Sequence, residues 1–336
     1  MKHVFIINSH TTFLSSIGTI NLLKLEEKDI VFIYIRKYSN NIIKIPYSTF
    51  DLSELFNECY NIIHVLYIDK SLIKKVDSFI NENINSAYAL YAPHIAHAFF
   101  QLFYTNNSCK YASYIQEGAI PFRTAYLTNP SFCIRTFFAL YNKFILRTNR
   151  IWRPRRWYVK GQLKKQKTLS SYSTSPNFFK YLPSNNYTIK WPRITLDISI
   201  NSNIPIFIFD GFVQNKCIEK EFYLSKCKSL IDQYHQENNY IRFHPAQGEE
   251  EKEFILNCFD SLGVKRTIME ANVPFELILS SKSNLTVIGL GSSLLYFARD
   301  FGHNVICKDY WLTESKLYNK YKEDYGFDFF QDSNLK

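Results

Sequence analysis

Acidic residues are missing from one long stretch of this chain: none occurs between Glu117 and Asp197. Fifteen lysines and arginines fall in that interval, and the protein has a net charge of +10. The excess is one block and not a uniformly basic surface, so it demands a local partner. Glycine is scarce, 10 residues in 336, so a Gly-x-Gly turn is less readily a product of chance. The seven cysteines (Cys59, Cys109, Cys133, Cys217, Cys227, Cys258, Cys307) are scattered, odd in number, and never two residues apart. This argues against zinc ribbons, dithiol sites and a disulfide framework, and leaves buried free thiols in a reducing compartment. No window reaches the roughly 18 to 20 apolar residues of a membrane-spanning helix. The N-terminal "MKHVFIINSH" is too short an apolar run for a signal peptide and resembles a first buried strand. A cytoplasmic protein is expected. There is no Asp-x-Asp, and the eight histidines include no i,i+4 pair with a catalytic Glu, so no metal or other cofactor is expected.

What is present is the composition of a folded chain, 46% apolar and 21% charged, long enough for two domains. Abundant Asn, Ile, Lys, Tyr and Phe read as the coding bias of an AT-rich genome. In the first part "HVFIIN", "DIVFIYI", "IIHVLYI", "SAYALYA" and "KYASYIQ" read as strands. Between them "TTFLSSIGTINLLKL", "LSELFNE", "SLIKKVDSFINENI" and "PHIAHAFFQLFY" have helical spacing. From about 130 to 200 the pattern degrades into the aromatic, basic "FCIRTFFALYNKFILRTNRIWRPRRWYVKGQLKKQK" and the polar "TLSSYSTSPNFF". Alternation resumes with the strands "IPIFIFDGF", "NYIRFHP", "LTVIGLG" and "NVICKDY" and the helices "CIEKEFYLSKCKSLIDQYHQE" and "EEEKEFILNCFDSL". Strands alternating with helices imply parallel sheets covered on both faces. The expected organisation is an N-terminal Rossmann-like domain over residues 1–195, including a basic aromatic connector at about 131–195. A second Rossmann-like domain at 196–310 and a helical tail at 311–336 complete it. The two domains are expected to face each other across a cleft with their strand C-termini towards it.

In "LTVIGLGSSLLYFARDFGHNVI", residues 285 to 306, an apolar run ends in a Gly-x-Gly turn and a helix begins. A dinucleotide fingerprint would need a third glycine where Leu294 stands, and would open the first βα unit of its domain. In its place are Ser292 and Ser293, two hydroxyls at a helix start. One can serve as an N-cap, and together with Gly291 they also suit an anion. The same half places His244 and Pro245 just past a strand end, Glu276 before another apolar run, and Asp210 at the end of "IPIFIFD". Histidine there can donate to a phosphate, and a carboxylate can accept both hydroxyls of a ribose.

The order His-Pro, then Pro-x-Glu, then Ser-Ser resembles the nucleotide-binding signature of bacterial sialyltransferases, the GT-B enzymes of glycosyltransferase families 52, 38 and 80. The size and short N-terminal domain look most like family 52. The acid-acid-Gly motif of these families is matched by Gln116-Glu117-Gly118, with Gln116 departing from the first acid. The resemblance implies inverting transfer of sialic acid from CMP-sialic acid without a metal. The acceptor would be a terminal sugar, galactose through an α2,3 bond, on a bacterial lipopolysaccharide O-antigen, lipooligosaccharide or capsule. Glu117 would be the base, with Asp210 its rival. His244 would donate to the departing phosphate. Pro245, Gly291, Ser292 and Ser293 would line the donor site, and Glu276 would hold the ribose. The nearest alternative is a transferase of another CMP- or CDP-linked donor, such as Kdo or a polyol phosphate.

Within the basic block, Lys143, Arg147, Arg150, Arg153, Arg155, Arg156 and Lys160 are interleaved with Phe144, Trp152, Trp157 and Tyr158. Cations with interfacial aromatics suit an anionic membrane surface and a lipid-linked acceptor, which implies a peripheral protein on the inner face of the cytoplasmic membrane. The same residue types could bind nucleic acid, but no recognisable nucleic-acid module accompanies them. A non-catalytic basic membrane- or nucleic-acid-binding protein stands as the reading from a different class.

Overall fold

The structure is a computed structural model that describes residues 1–38, 43–60, 70–95, 97–118, 140, 150, 169–176, 178–179, 185–270 and 273–325. The chain divides into two compact units, Met1–Pro192 and Arg193–Lys336.

In the first unit the chain runs β1 (Lys2–Ile7), α1 (His10–Leu23), β2 (Ile30–Tyr34), β3 (Ser48–Asp51), α2 (Ser53–Tyr60) and α3 (Lys70–Phe79), which continues as a π-helical turn at Ile80–Ile84. Then come β4 (Tyr88–Ala92), α4 (Ala98–Thr105), β5 (Cys109–Ile115), β6 (Leu169–Ser173) and β7 (Asn185–Thr188). All pairings in this sheet are parallel, in the order β3-β2-β1-β4-β5-β6-β7. Val4 to Ile7 are fully buried, as a central parallel strand with helices on both faces requires. The sequence order reverses between β1 and β4, where such sheets bind ligands at their C-terminal edge.

Three features depart from the sequence reading. The third strand is β3, at Ser48–Asp51, whereas "IIHVLYI" lies outside the described residues. The expected connector contributes sheet: β6 and β7 extend the first unit by two strands. Arg150, expected at a docking surface, is bound within the fold. It ion-pairs with Asp77 of α3 and donates to the Leu102 carbonyl at 2.9 Å and, through Nε, to Thr105 Oγ1 at 3.2 Å. Lys143, Phe144, Arg147, Trp152, Arg153, Arg155, Arg156, Trp157, Tyr158 and Lys160 lie outside the described residues.

The second unit runs β8 (Ile206–Phe209), α5 (Lys220–Tyr234), β9 (Asn238–Phe243), α6 (Glu249–Ser261), β10 (Lys265–Ile268) and α7 (Phe275–Ser281). It ends with β11 (Thr286–Gly289), α8 (Ser293–Asp300), β12 (Asn304–Cys307) and α9 (Lys316–Tyr325). Its sheet is again parallel, in the order β10-β9-β8-β11-β12, reversing between β8 and β11. Arg193 fastens the start of the unit by donating to the carbonyls of Leu279, Lys282 and Phe301. These lie at the C-termini of α7 and α8, where a cation meets the negative helix ends. The expected tail is part of this unit, because Leu312 and Tyr318 are buried in its core. Two Rossmann-like α/β units in tandem are the two-unit architecture expected of a GT-B protein. No described helix is long and apolar enough to cross a membrane.

Candidate functional site

The residues singled out in the second unit gather at the C-terminal edge of its sheet. Phe209 pairs with Phe243 in register, so Asp210 and His244 leave neighbouring strands at the same level. The His244 N–H donates to the Phe209 carbonyl at 2.9 Å. The imidazole is oriented from behind, because the Ala246 N–H donates to Nδ1 at 3.0 Å. An acceptor at Nδ1 places the proton of the neutral ring on Nε2, leaving that N–H to donate outward. Gly211 lies against the ring: a Cβ there would stand 2.9 Å from Nδ1. Pro245 is exposed in a turn closed by the Gln247 N–H donating to the His244 carbonyl at 2.9 Å.

Asp210 is partly spent on its own backbone. Its Oδ1 accepts from the Gly211 N–H at 2.7 Å, and Tyr223 Oη lies 3.0 Å from its N and 3.1 Å from its O. Across the switch point, Gly291 has φ +140°, and the position its Cβ would take lies 3.3 Å from Asp309 Cβ and from Tyr318 Oη. Glycine is therefore demanded here by the chain's own conformation and packing. Ser292 is buried and caps α8, its Oγ accepting from the Leu294 N–H at 3.3 Å. Ser293, the next residue, is exposed. Glu276 sits in the first turn of α7. Burial pushes its pKa above the usual carboxylate value, and the Arg242 guanidinium opposes that shift. Arg242 in turn holds the approach to α7 by donating to the carbonyls of Glu270 and Val273.

The first unit gathers a second cluster, around Glu117, just past the end of β5. Asn8 Nδ2 donates to Glu117 Oε1 at 2.5 Å, and an Arg36 guanidinium nitrogen stands 3.6 Å from the same oxygen. Arg36 and Lys37 both adopt left-handed backbone, φ 58° and 57°, which costs of order 1 kcal/mol per non-glycine residue. The turn is braced by the Lys37 N–H donating to Ser53 Oγ at 2.7 Å, and the guanidinium lies 5.4 Å from the Phe56 ring centroid. Gln116 explains the departure from an acid pair. It is fully buried, its Nε2 donates to the Gly118 carbonyl at 3.0 Å, and its Oε1 accepts from the Thr174 N–H at 2.9 Å. An ionised carboxyl could not make the first of these bonds.

Asn8, Arg36, Arg242, Asp309 and Tyr318 escaped the sequence reading. Asn8 and Arg36 carried a signal, as the polar residues that end the first and second apolar runs. Among the described residues no cluster of three or more His, Cys, Asp or Glu is arranged to hold a metal.

No protein-family model and no curated protein sequence matches this chain. Solved structures do resemble it at low identity. E. coli ADP-heptose LPS heptosyltransferase II is 12% identical, covering 91% of this chain and 84% of that one, with a TM-score of 0.37. UDP-GlcNAc 2-epimerase from Methanocaldococcus jannaschii is 10% identical over 91% and 83%, with a TM-score of 0.43. S. aureus MnaA, in a co-structure with UDP, is 14% identical over 91% and 78%, with a TM-score of 0.48.

Proposed function

We propose that the protein is an inverting glycosyltransferase that moves sialic acid from CMP-sialic acid to a terminal sugar of a bacterial surface glycan, without a metal. The observation that carries this reading is His244. Its Nδ1 is occupied from behind by a backbone N–H, its ring packs on Gly211, and it lies at the switch-point edge of a Rossmann-like sheet.

In this reading the acceptor hydroxyl attacks the anomeric carbon of sialic acid as the bond to the CMP phosphate oxygen breaks. The leaving electron pair stays on CMP. His244 Nε2–H donates to the developing phosphate charge, and Ser293 Oγ at the start of α8 adds a second donor. The hydroxyl proton goes to Glu117, held ready by Asn8 and Arg36. Glu117 is preferred to Asp210 because the Asp210 carboxylate is folded onto its own following N–H. Glu276 accepts the ribose hydroxyls. Burial makes it tend to hold a proton; Arg242 opposes that shift, and two hydroxyl donors would oppose it further. The acceptor would be a lipid-linked galactose-terminated glycan joined by an α2,3 bond. The basic aromatic block would dock on the anionic inner surface of the cytoplasmic membrane, Arg150 taking no part.

The test is CMP release from CMP-sialic acid in EDTA, with and without a galactose-terminated acceptor. Acceptor-dependent release is expected. Binding of CMP without release on any such acceptor would move the assignment to another CMP- or CDP-linked donor, and absence of CMP binding would overturn the donor site itself.

A further inference from the structure

We infer that Asn8 is the positioning residue of the Glu117 carboxylate, filling Oε1 so that Oε2 is left to take the proton of the acceptor. The inference rests on Glu117 being the base. Asn8 directly follows β1 and precedes Ser9, the N-cap of α1. Its amide has a single orientation its neighbours allow. The Thr12 hydroxyl donates to Oδ1 at 2.7 Å, and Nδ2 donates to Glu117 Oε1 at 2.5 Å. Turning the amide over would set its carbonyl oxygen against a carboxylate, two acceptors in contact.

Thr12 is fixed in turn. Ser9 Oγ lies 2.9 Å from Thr12 Oγ1 and accepts from the Thr12 N–H at 3.2 Å. A chain of hydrogen bonds therefore runs from the first turn of a 14-residue helix through Asn8 to a carboxylate 109 residues beyond Asn8 in sequence. Arg36 approaches the same Oε1 at 3.6 Å, and among the described residues nothing bonds Oε2. A carboxylate oxygen that accepts a hydrogen bond and faces a guanidinium is the less basic of its pair. The proton released as the acceptor oxygen bonds the anomeric carbon thus has one destination, Oε2, in a direction set by Asn8.

A fixed direction is worth rate and not affinity, since misplacing a reacting group by about 1 Å can cost of order 100-fold. Asn8→Ala should lower kcat about 10- to 100-fold while leaving the KM for CMP-sialic acid within about twofold. Asn8→Asp keeps the shape but places a second carboxylate beside Glu117, with Arg36 the other charged group facing it. It should lower kcat further and move the acidic limb of the pH–rate profile to higher pH, because like charge favours the protonated form. A wild-type kcat in Asn8→Ala overturns the inference. So does a loss in both variants that tracks a lower Tm while the acidic limb of Asn8→Asp stays in place.

Wild-type protein that transfers nothing would remove the functional reading and leave the geometric claim to be tested by carbon-13 NMR of the Glu117 side-chain carboxyl. There Asn8→Asp must move its titration to higher pH, and an unmoved titration overturns the positioning role by itself.

Discussion

A methyl group at position 211 would stand 2.9 Å from Nδ1 and 3.4 Å from Cγ of His244, on the side where the Ala246 N–H holds the ring. Gly211→Ala should therefore push the imidazole off that bond and release its Nε2 direction. The expected outcome is a fall in kcat of up to about 100-fold, comparable to His244→Ala, with the thermal melt little changed. Steady-state rates beside a melting curve check it, and wild-type turnover in Gly211→Ala would sink the role given to His244. The places of His244 and Glu117 at strand ends were legible because each closes an apolar run, and strand C-termini are where such sheets bind. What positions them was not. Ala246 and Gly211 act through a backbone N–H and a missing side chain, and Asn8 and Arg36 reach Glu117 only after the sheet has brought distant strand ends together. Gln116 read as a departure from the acid pair, and only its side-chain bonds show that the site uses both a donor and an acceptor.

At the start of α8 two adjacent serines differ in their surroundings. Ser292 is the N-cap, buried and bonded to the Leu294 N–H, while Ser293 exposes its hydroxyl. Ser292→Ala should cost about 1 kcal/mol of stability. Ser293→Ala should leave stability unchanged and weaken CMP binding roughly 2- to 10-fold, the worth of one hydrogen bond. Melting curves and calorimetric titration with CMP separate the two; a Ser292→Ala protein with normal stability and weakened CMP binding would reverse the assignment. Elements differ likewise in how openly the sequence declares them. β1, β2, β4, β8 and β11 are central strands, buried on both faces, and read as apolar runs. β3, β7 and β10 are edge strands, largely exposed, so nothing selects apolar residues there. β6 is internal yet polar, because Ser171 and Ser173 are buried with their hydroxyls donating to Asn186 and to the Ser175 carbonyl. The helix α7 is buried nearly all round, so its "FELILSS" lacks the one-sided stripe that marks a surface helix.

For the molecule as a whole, the sequence reading ended the donor domain at residue 310, and the packing carries it further. Leu312 is fully buried, Tyr318 is 5% exposed, and both belong to the core that includes Phe207, Phe209 and Phe212. Ser315 Oγ donates to Glu219 Oε2 at 2.5 Å, the residue before α5, and Tyr318 Oη stands beside the Gly291 turn. Burial pushes the Tyr318 phenol well above its usual pKa, so it stays a neutral hydroxyl beside Asp210 and Asp309 across the working range. Removing a buried leucine and a buried aromatic costs roughly 2–5 and 3–5 kcal/mol, together of the order of a whole domain's stability of about 5–15 kcal/mol. A chain ending at residue 310 should therefore keep the cooperative melt of the first unit and lose both the melt of the second and its CMP binding. Residues 193–336 alone should fold and bind CMP like the full chain, because the switch-point edge, the Arg193 anchor and α9 all lie within that span. Scanning calorimetry of the two proteins, each with and without CMP, decides it. An unchanged second transition in the shortened chain would make α9 an appendage and the Tyr318 contact with Gly291 dispensable.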